Sequence, residues 1–420
     1  LWYDWSRESG WQLQGVMRAE HWSLPGPGQQ LAPLRSASLQ VLAEGQSSGE
    51  IQGQFTDFTG SWNGASFRVT GGRFRIPGSR KQVLLSLKEL DLQSVVRGLS
   101  RPIAGQRAVG DTAEFAPSGA QLPEALLSAL ETLRPAGELR NLHMSVPLRR
   151  ESLKDFRLAA QLRDVGFSAW NAVPAVRHID GFLSMSLDRG FIELDGSSLE
   201  LAFPRIFSHD LPFQGLTGRV HWRLGDDLRV SSALLRGWGD FGLASADFSL
   251  DIPLRERESR MPLLSLRLGV EGADTALVER YTPHLLPANL RGWLTDSIRG
   301  GKIAHGGLVY HGSVRRGEAH KRSLQLFAEV RNGVLRFHPD WPELSQLDGA
   351  LVLADTALSA QIRRGAMFGS KLRRFEVALQ PGSDFYLLRC AGDVSGPARD
   401  LIALLDDTSL LSAGSALSLI

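Results

Sequence analysis

The stretch Leu264-Ser265-Leu266-Arg267-Leu268-Gly269-Val270 decides the fold, because apolar residues alternate in it with polar or small ones. A period of two is typical of a β-strand with one packed face and one face in water. The same alternation recurs at 183–187, 248–252, 324–330 and 375–379. Turn signals such as Asn332-Gly333 separate these segments. The sequence therefore predicts a mainly β protein, a meander of many short antiparallel strands.

Helical patterns are scarce. In the clearest one Pro287 stands at the first helical position, Trp293 and Ile298 belong to one apolar face, and Gly300-Gly301 is a stop signal. The predicted helical segments are 91–99, 122–134, 274–281, 287–299 and 398–405. These helices are too few and too short to cover a long sheet, so its apolar face needs a second sheet or a ligand.

Composition excludes several classes of protein. Hydrophobic residues make up 43% of the 420 residues and charged residues 22%, as in a folded chain. The net charge of +2 gives no reason to expect a nucleic-acid surface. The single cysteine, Cys390, excludes an internal disulfide framework and a cysteine-based metal site. Because the sequence begins at Leu1 without a methionine, we expect it to be part of a longer protein.

The sequence carries no signature of catalysis. His305 and His311 are six residues apart and form no zinc-binding pattern. Gly300-Gly301-Lys302 lacks the flanking residues of a phosphate-binding loop. We therefore expect no enzyme, no cofactor and no metal.

A long internal repeat organises the chain. Residues 122–126 (Leu-Pro-Glu-Ala-Leu) match 286–290 (Leu-Pro-Ala-Asn-Leu) at a separation of 164, and Ile179-Asp180-Gly181 matches Leu347-Asp348-Gly349 at 168. Such a period indicates an array of one structural unit. The predicted divisions are an N-terminal β segment (1–60), a first repeat unit with a helical insertion near 91–134 (61–235), a second with helices near 274–299 (236–366) and the truncated start of a third (367–420).

The segment 281–349 is more specific. It contains Tyr281-Thr-Pro-His-Leu-Leu-Pro287, then Trp293-Leu294, and later Val330-Arg-Asn-Gly333 and Pro339-Asp-Trp-Pro342. This combination resembles the YhdP family of AsmA-like proteins of the Gram-negative envelope. The flanking segments resemble that family in strand pattern.

The resemblance implies a repeating β-groove, a long twisted antiparallel sheet curled into an open groove with a few short helices. It also implies intermembrane phospholipid transport across the periplasm, by a protein anchored in the inner membrane through a segment outside this sequence. The implied partners are phospholipid acyl chains and the inner and outer membranes, the membranes being contacted by other parts of the protein. No nucleic acid is expected, and no protein partner is implied.

Alternating apolar residues are the predicted lipid-binding floor of the groove. Exposing a sixteen-carbon acyl chain to water costs about 12 kcal/mol, which an apolar floor would remove. The floor residues are Leu183, Met185, Leu187, Leu264, Leu266, Leu268, Leu326, Val330, Leu351, Leu353, Phe375, Val377 and Leu379. The same residues would also suit the dry core of a β-sandwich.

Two further interpretations stay open. A structural or chaperone-like envelope scaffold would assist outer-membrane protein assembly by offering sheet edges to client strands. The arginine pairs at 149–150, 315–316, 363–364 and 373–374 would either hold phosphate head groups along a rim or lie at solvated strand ends.

Overall fold

The computed structural model describes most of the chain. The described residues are 2–6, 10–22, 34–62, 65–79, 81–99, 131–148, 155–170, 173–196, 198–204, 206–254, 261–283, 288–313, 322–382 and 386–407. The predicted helix at 122–134 lies mainly outside them, and 131–133 is its only helical part that is described.

Strands dominate, and all 23 strands of the described residues belong to one sheet. They are β1 (Trp2–Ser6), β2 (Gly10–Trp22), β3 (Leu34–Gly45), β4 (Ile51–Trp62), β5 (Ala65–Ile76), β6 (Gln82–Asp91), β7 (Ala136–Pro147), β8 (Arg157–Phe167), β9 (Ala175–Met185), β10 (Arg189–Asp195), β11 (Leu199–Ala202), β12 (Leu211–Phe213), β13 (Gly215–Leu224), β14 (Asp227–Ser232), β15 (Leu235–Gly239), β16 (Gly242–Pro253), β17 (Leu263–Asp274), β18 (Ile298–Ser313), β19 (Arg322–Leu335), β20 (Leu344–Ala354), β21 (Ala357–Met367), β22 (Ser370–Pro381) and β23 (Tyr386–Ser395). The predicted long antiparallel sheet is confirmed.

The helices are short. They are α1 (Leu92–Leu99), a 3₁₀ turn (Thr275–Leu277), α2 (Val278–Tyr281), α3 (Ala288–Ser297) and α4 (Ala398–Asp407). The predictions at 91–99, 274–281 and 398–405 are confirmed. The helix predicted at 287–299 ends earlier, at Ser297, because Ile298 pairs with Leu335 as the first residue of β18. Sheet pairing therefore ends this helix before the Gly300-Gly301 stop signal.

The chain divides into two compact units, of which the first comprises Leu1–Leu201 and Thr217–Val230. Each strand from β1 to β9 pairs antiparallel with the next. One cross-strand row runs through Val41, Phe55, Gly72, Leu87 and Leu142, and Leu142 is completely buried. A Cβ at Gly72 would lie 2.3 Å from the Phe55 ring, so glycine makes room for that ring. This row contributes Val41, Leu87 and Leu142 to the buried core of the unit.

The second unit comprises Ala202–Leu216 and Ser231–Ile420. Each strand from β15 to β22 pairs antiparallel with the next, so this unit too is a meander. Its buried apolar side chains include Leu250, Ile252, Leu347 and Leu372. Among the described residues of its long strands, only a few side chains are fully buried.

The same strand irregularity occurs in both units, at positions that correspond to each other in the internal sequence repeat. In the first unit Asp164 has a left-handed φ of 51°, and its backbone N–H donates to Oδ1 of Asp180 at 2.8 Å. In the second unit Asn332 has a φ of 49° and donates to Oδ1 of Asp348 at 2.8 Å. The ladder register shifts at both places, as at a β-bulge, which bends and twists a strand.

A hydrogen bond between two side chains also recurs. Ser86 Oγ lies 3.0 Å from Nδ1 of His143, which is directly opposite on the next strand. Ser265 Oγ lies 2.8 Å from Nδ1 of His311, again its cross-strand partner. The sequence repeat thus has counterparts in local geometry.

Candidate functional site

A row of leucines crosses seven strands of the second unit. Antiparallel register places each leucine opposite the next, and side chains in one row point to the same face of a sheet. The row consists of Leu268, Leu308, Leu326, Leu353, Leu358, Leu379 and Leu388. It gives β17 to β23 a continuous apolar surface.

Two further apolar rows lie beside it on the same face. The adjacent row has smaller side chains and consists of Val270, Gly306, Ala328, Leu351, Ala360, Val377 and Cys390. The third row consists of Ile303, Val330, Gly349, Ile362 and Phe375. We call the surface formed by these three rows, extended along β17 by Leu264 and Leu266, the apolar face of the second unit.

Ten of the thirteen predicted floor residues lie on this apolar face. All ten are half-buried: Leu264, Leu266, Leu268, Leu326, Val330, Leu351, Leu353, Phe375, Val377 and Leu379. Side chains of these types in a closed two-layer core are often removed from water almost completely. The described residues therefore cover this face only in part, which an ordinary sandwich core would not predict.

Two of the other three predicted floor residues share one side of the sheet in the first unit, which we call the apolar face of the first unit. Leu183 pairs with Ala160 and Met185 with Leu158, on the side of the sheet that also carries Met144. The third, Leu187, was predicted to extend the strand, but β9 ends at Met185 and Leu187 lies in the turn before β10. The prediction for Leu187 as a strand residue is therefore wrong, because the chain turns there to pair β9 with β10.

Sequence alternation missed several members of the apolar face. Leu308 lies in a glycine-rich stretch, and Leu358 and Ile362 are separated by Ser359-Ala360-Gln361, which weakens the apolar pattern. Cross-strand register reveals them, because each lies opposite a predicted floor residue or its neighbour. Recognising them from sequence would have required the pairing partners of every strand.

The opposite face of the same strands is polar and carries ion pairs. Arg267 lies 2.9 Å from Asp247, and Arg363 lies 2.7 Å from Glu329. The hydrogen bond from Arg363 holds the pKa of Glu329 below its ordinary value. Alternate side chains of a strand point to opposite faces, so one sheet separates this polar face from the apolar one.

The predicted arginine pairs are partly accounted for. Arg363 pairs with Glu329, Arg364 with Asp348, and Arg374 with Asp393. These guanidinium groups are therefore already engaged by carboxylates. The pairs at 149–150 and 315–316 lie outside the described residues.

Residues of the 281–349 pattern hold the helices against the sheet. The indole N–H of Trp293 donates to the carbonyl oxygen of Phe337 at 2.8 Å, and the Phe337 ring also lies 5.3 Å from the ring of Trp341. The Tyr281 hydroxyl donates to Asp240 at 2.6 Å, and partial burial raises the pKa of this phenol. These aromatic residues make structural contacts between the helices and the connections at the ends of strands.

Cys390 lies on the apolar face, opposite Val377 in β22. The thiol is free, the residue is exposed, and desolvation by its surroundings raises the thiol pKa. In the described parts of the chain, no three His, Cys, Asp or Glu side chains are arranged to hold a metal ion. Within the same residues, no helix is long and apolar enough to cross a membrane.

Comparison with known proteins gives two positive findings. The family model described as YhdP protein matches residues 18–419. The intermembrane phospholipid transporter YhdP of Escherichia coli (strain K12) is 23% identical over 308 residues, which cover 70% of this chain and 23% of that protein. The chain thus spans less than a quarter of the length of this curated relative. No solved structure matches the chain.

Proposed function

Because this chain belongs to the YhdP family, we propose that it carries phospholipid between the inner and outer membranes by holding acyl chains on its apolar faces. The observation that supports this proposal is the continuous apolar face of the second unit. Ten predicted floor residues share it, and the described residues leave all of them half-buried. A face that the described residues cover only in part is available to an apolar ligand.

The composition of the three rows suits movement of a ligand rather than its capture. Every residue in them is aliphatic, glycine, phenylalanine or cysteine. An acyl chain on such a surface gains about 0.8 kcal/mol for each methylene removed from water, with no polar contact to break as it slides. The phosphate head group would stay in solvent, so transport needs no covalent step and no cofactor.

The row of smaller side chains is the proposed path of the acyl chain. It includes Gly306, Ala328 and Ala360, and it runs between the leucine row and the row that ends at Phe375. Larger side chains on both sides would keep a flexible chain over the smaller ones. The apolar face of the first unit, with Leu183 and Met185, has the same proposed role.

The proposed location is the periplasm, with the two membranes contacted by parts of the protein outside this sequence. The E. coli relative is named an intermembrane phospholipid transporter, which supports this location. The proposal includes an inner-membrane anchor in a segment that this sequence does not contain. A passive apolar surface also supports a non-enzymatic role.

Site-specific photocrosslinking in cells tests the proposal. A photoreactive phenylalanine analogue replaces Leu353 or Ile362 on the apolar face of the full-length protein, and matched controls carry it at Ser359 or Gln361 on the polar face. We expect phospholipid adducts, identified by mass spectrometry, only from the first pair. Polypeptide adducts from Leu353 and Ile362 without lipid would instead support the chaperone-like scaffold. Equal lipid labelling from both faces would contradict the proposal.

A further inference from the structure

The polar face of the second unit contains an apolar cleft of about 490 Å³. Phe327 and Val352 lie opposite each other in it, Val309 is on the neighbouring strand, and Leu234 lies at the border. These four side chains are 42% to 49% exposed. Apolar side chains grouped on an otherwise polar surface often mark an interaction site.

Two facing glycines create the hollow of this cleft. Gly269 in β17 pairs directly with Gly307 in β18, so neither strand places a side chain there. A Cβ at Gly307 would have its nearest contact at 3.7 Å, to the carbonyl oxygen of Leu268. Among the described residues, the space above Gly307 is therefore large enough for an additional side chain.

The cleft opens on the face of the sheet opposite the one proposed to hold lipid. Leu268, Leu308 and Leu326 of the leucine row also border it, because the two faces share the same strands. The row of the cleft runs from Ser245 through Gly269, Gly307, Phe327 and Val352 to Ser359. Serine ends the row on both sides, so the exposed apolar side chains span β18 to β20, or about 10 Å. A short, closed row suits one or two inserted side chains rather than a path for acyl chains.

An exposed carboxylate lies beside the hollow. Glu271 is two residues from Gly269 on the same face of β17 and lies opposite His305 in β18, and it forms no ion pair with any described residue. By contrast, Glu329, two residues from Phe327, is paired with Arg363. Arg267, which lines the cleft on the other side of Gly269, is paired with Asp247. Alternate residues of an extended segment are about 7 Å apart on one face, which matches the separation of Gly269 from Glu271. The negative charge of Glu271 complements a basic residue.

From this hollow and its neighbouring carboxylate, we propose that the cleft docks an extended polypeptide segment of a partner protein. The segment places one large apolar side chain over Gly269 and Gly307. Two residues further on, a Lys or Arg of the segment pairs with Glu271. This docking site does not depend on lipid transport, because the apolar face lies on the other side of the sheet.

A titration with two synthetic peptides tests the docking site. Both peptides are labelled with fluorescein and consist of Gly and Ser with a single Trp. Two residues after the Trp, one peptide carries Lys and its twin carries Glu. Fluorescence anisotropy with the whole 420-residue chain should show that the Lys peptide binds about tenfold more tightly. Gly307→Leu, which fills the hollow, should weaken that binding about tenfold. Glu271→Lys should reverse the preference between the twins.

Matched variants keep this test decisive. A Cβ at Gly300 would also meet nothing closer than 3.7 Å, so Gly300→Leu makes the same change away from the cleft and should keep full affinity. If Gly307→Leu melts early by circular dichroism, Phe327→Ser removes the apolar wall instead. Equal binding of the twins, or unchanged affinity in both cleft variants, would overturn the proposal. So would binding to phosphatidylcholine vesicles that Gly307→Leu abolishes, since the cleft would then be a lipid surface.

Discussion

The backbone N–H of Asn332 donates a 2.8 Å hydrogen bond to Oδ1 of Asp348 on the adjacent strand. This bond is the main reason why the pKa of Asp348 lies below its ordinary value of 3.8, and the hydrogen bond from Arg364 lowers the pKa further. Asp180 accepts the same bond from Asp164, 168 residues earlier. The carboxylate satisfies a donor that the bulge removes from the strand ladder, so each of the two units has its own support for the irregular strand.

Asp348→Ala is expected to lower the free energy of unfolding by about 0.5 to 1.5 kcal/mol, the net contribution of one hydrogen bond, because water can reach the exposed N–H of Asn332 in the variant. Urea titration at pH 7 measures the loss. Asp180→Ala is the matched variant in the first unit and should cost a similar amount. Wild-type stability in both variants would show that the bulges do not need the carboxylates.

The contribution of Asp348 should depend on pH in one direction. Folding lowers the pKa of this carboxyl, so the unfolded chain binds its proton more tightly than the folded protein does. The stabilisation is therefore present above about pH 4 and is lost as the pH falls through the folded-state pKa. The stability difference between wild type and Asp348→Asn, measured by urea titration from pH 7 to pH 2, should shrink on acidification. A difference that grows on acidification would contradict the assigned sign.

Leu353→Asp should abolish lipid crosslinking from Ile362 while lowering the free energy of unfolding by only about 1 to 2 kcal/mol. Leu353 is half-buried, so the new carboxylate can stay hydrated at the surface of the apolar face. Ser359→Asp places the same charge on the polar face and should change neither quantity. Unfolding of the Leu353 variant would indicate a sealed core, in which an unpaired charge is very costly.

Ala360→Phe should reduce the phospholipid that co-purifies with the protein. The new ring would stand in the row of smaller side chains, between Leu351 and Val377, and obstruct the proposed acyl path. Ala378→Phe introduces the same ring on the polar face as a control. Lipid content is measured by solvent extraction and mass spectrometry. Equal lipid content in both variants would place the acyl chains elsewhere.

Cys390 offers a probe that needs no engineered residue, because it is the only cysteine of the chain. Because the pKa of its thiol is raised, Cys390 has a smaller fraction of reactive thiolate at pH 7.5 than glutathione has. Maleimide should therefore label Cys390 more slowly than glutathione, and the pH at which labelling becomes fast should be higher for Cys390. Removing bound lipid should increase the labelling rate, since Cys390 lies on the apolar face. A rate that lipid removal leaves unchanged would show that acyl chains do not reach β23.

The sequence predicted the two faces of some strands correctly. Alternation in Leu264 to Val270 predicted which side chains share a face, and the structure places all four apolar residues of this stretch on one side of β17. Helix patterns failed where sheet pairing competed, as at Ile298, and alternation failed at Leu187, where the chain turns. These two misses occur at element ends, where tertiary pairing outweighs local preference. Leu308, Leu358 and Ile362 were missed within strands, because only their cross-strand partners place them on the apolar face.

By itself the sequence determined a mainly β chain with a long repeat and one-faced strands, because these properties depend on the order of residues along the chain. The tertiary structure decided which strands adjoin and in what register. Register joined Leu268 to Leu388 in one row of seven leucines and placed Gly269 opposite Gly307. These contacts connect residues far apart in sequence, and a shift of one residue would move a whole strand's apolar set to the other face. The apolar face and the cleft are therefore products of pairing rather than of any single segment.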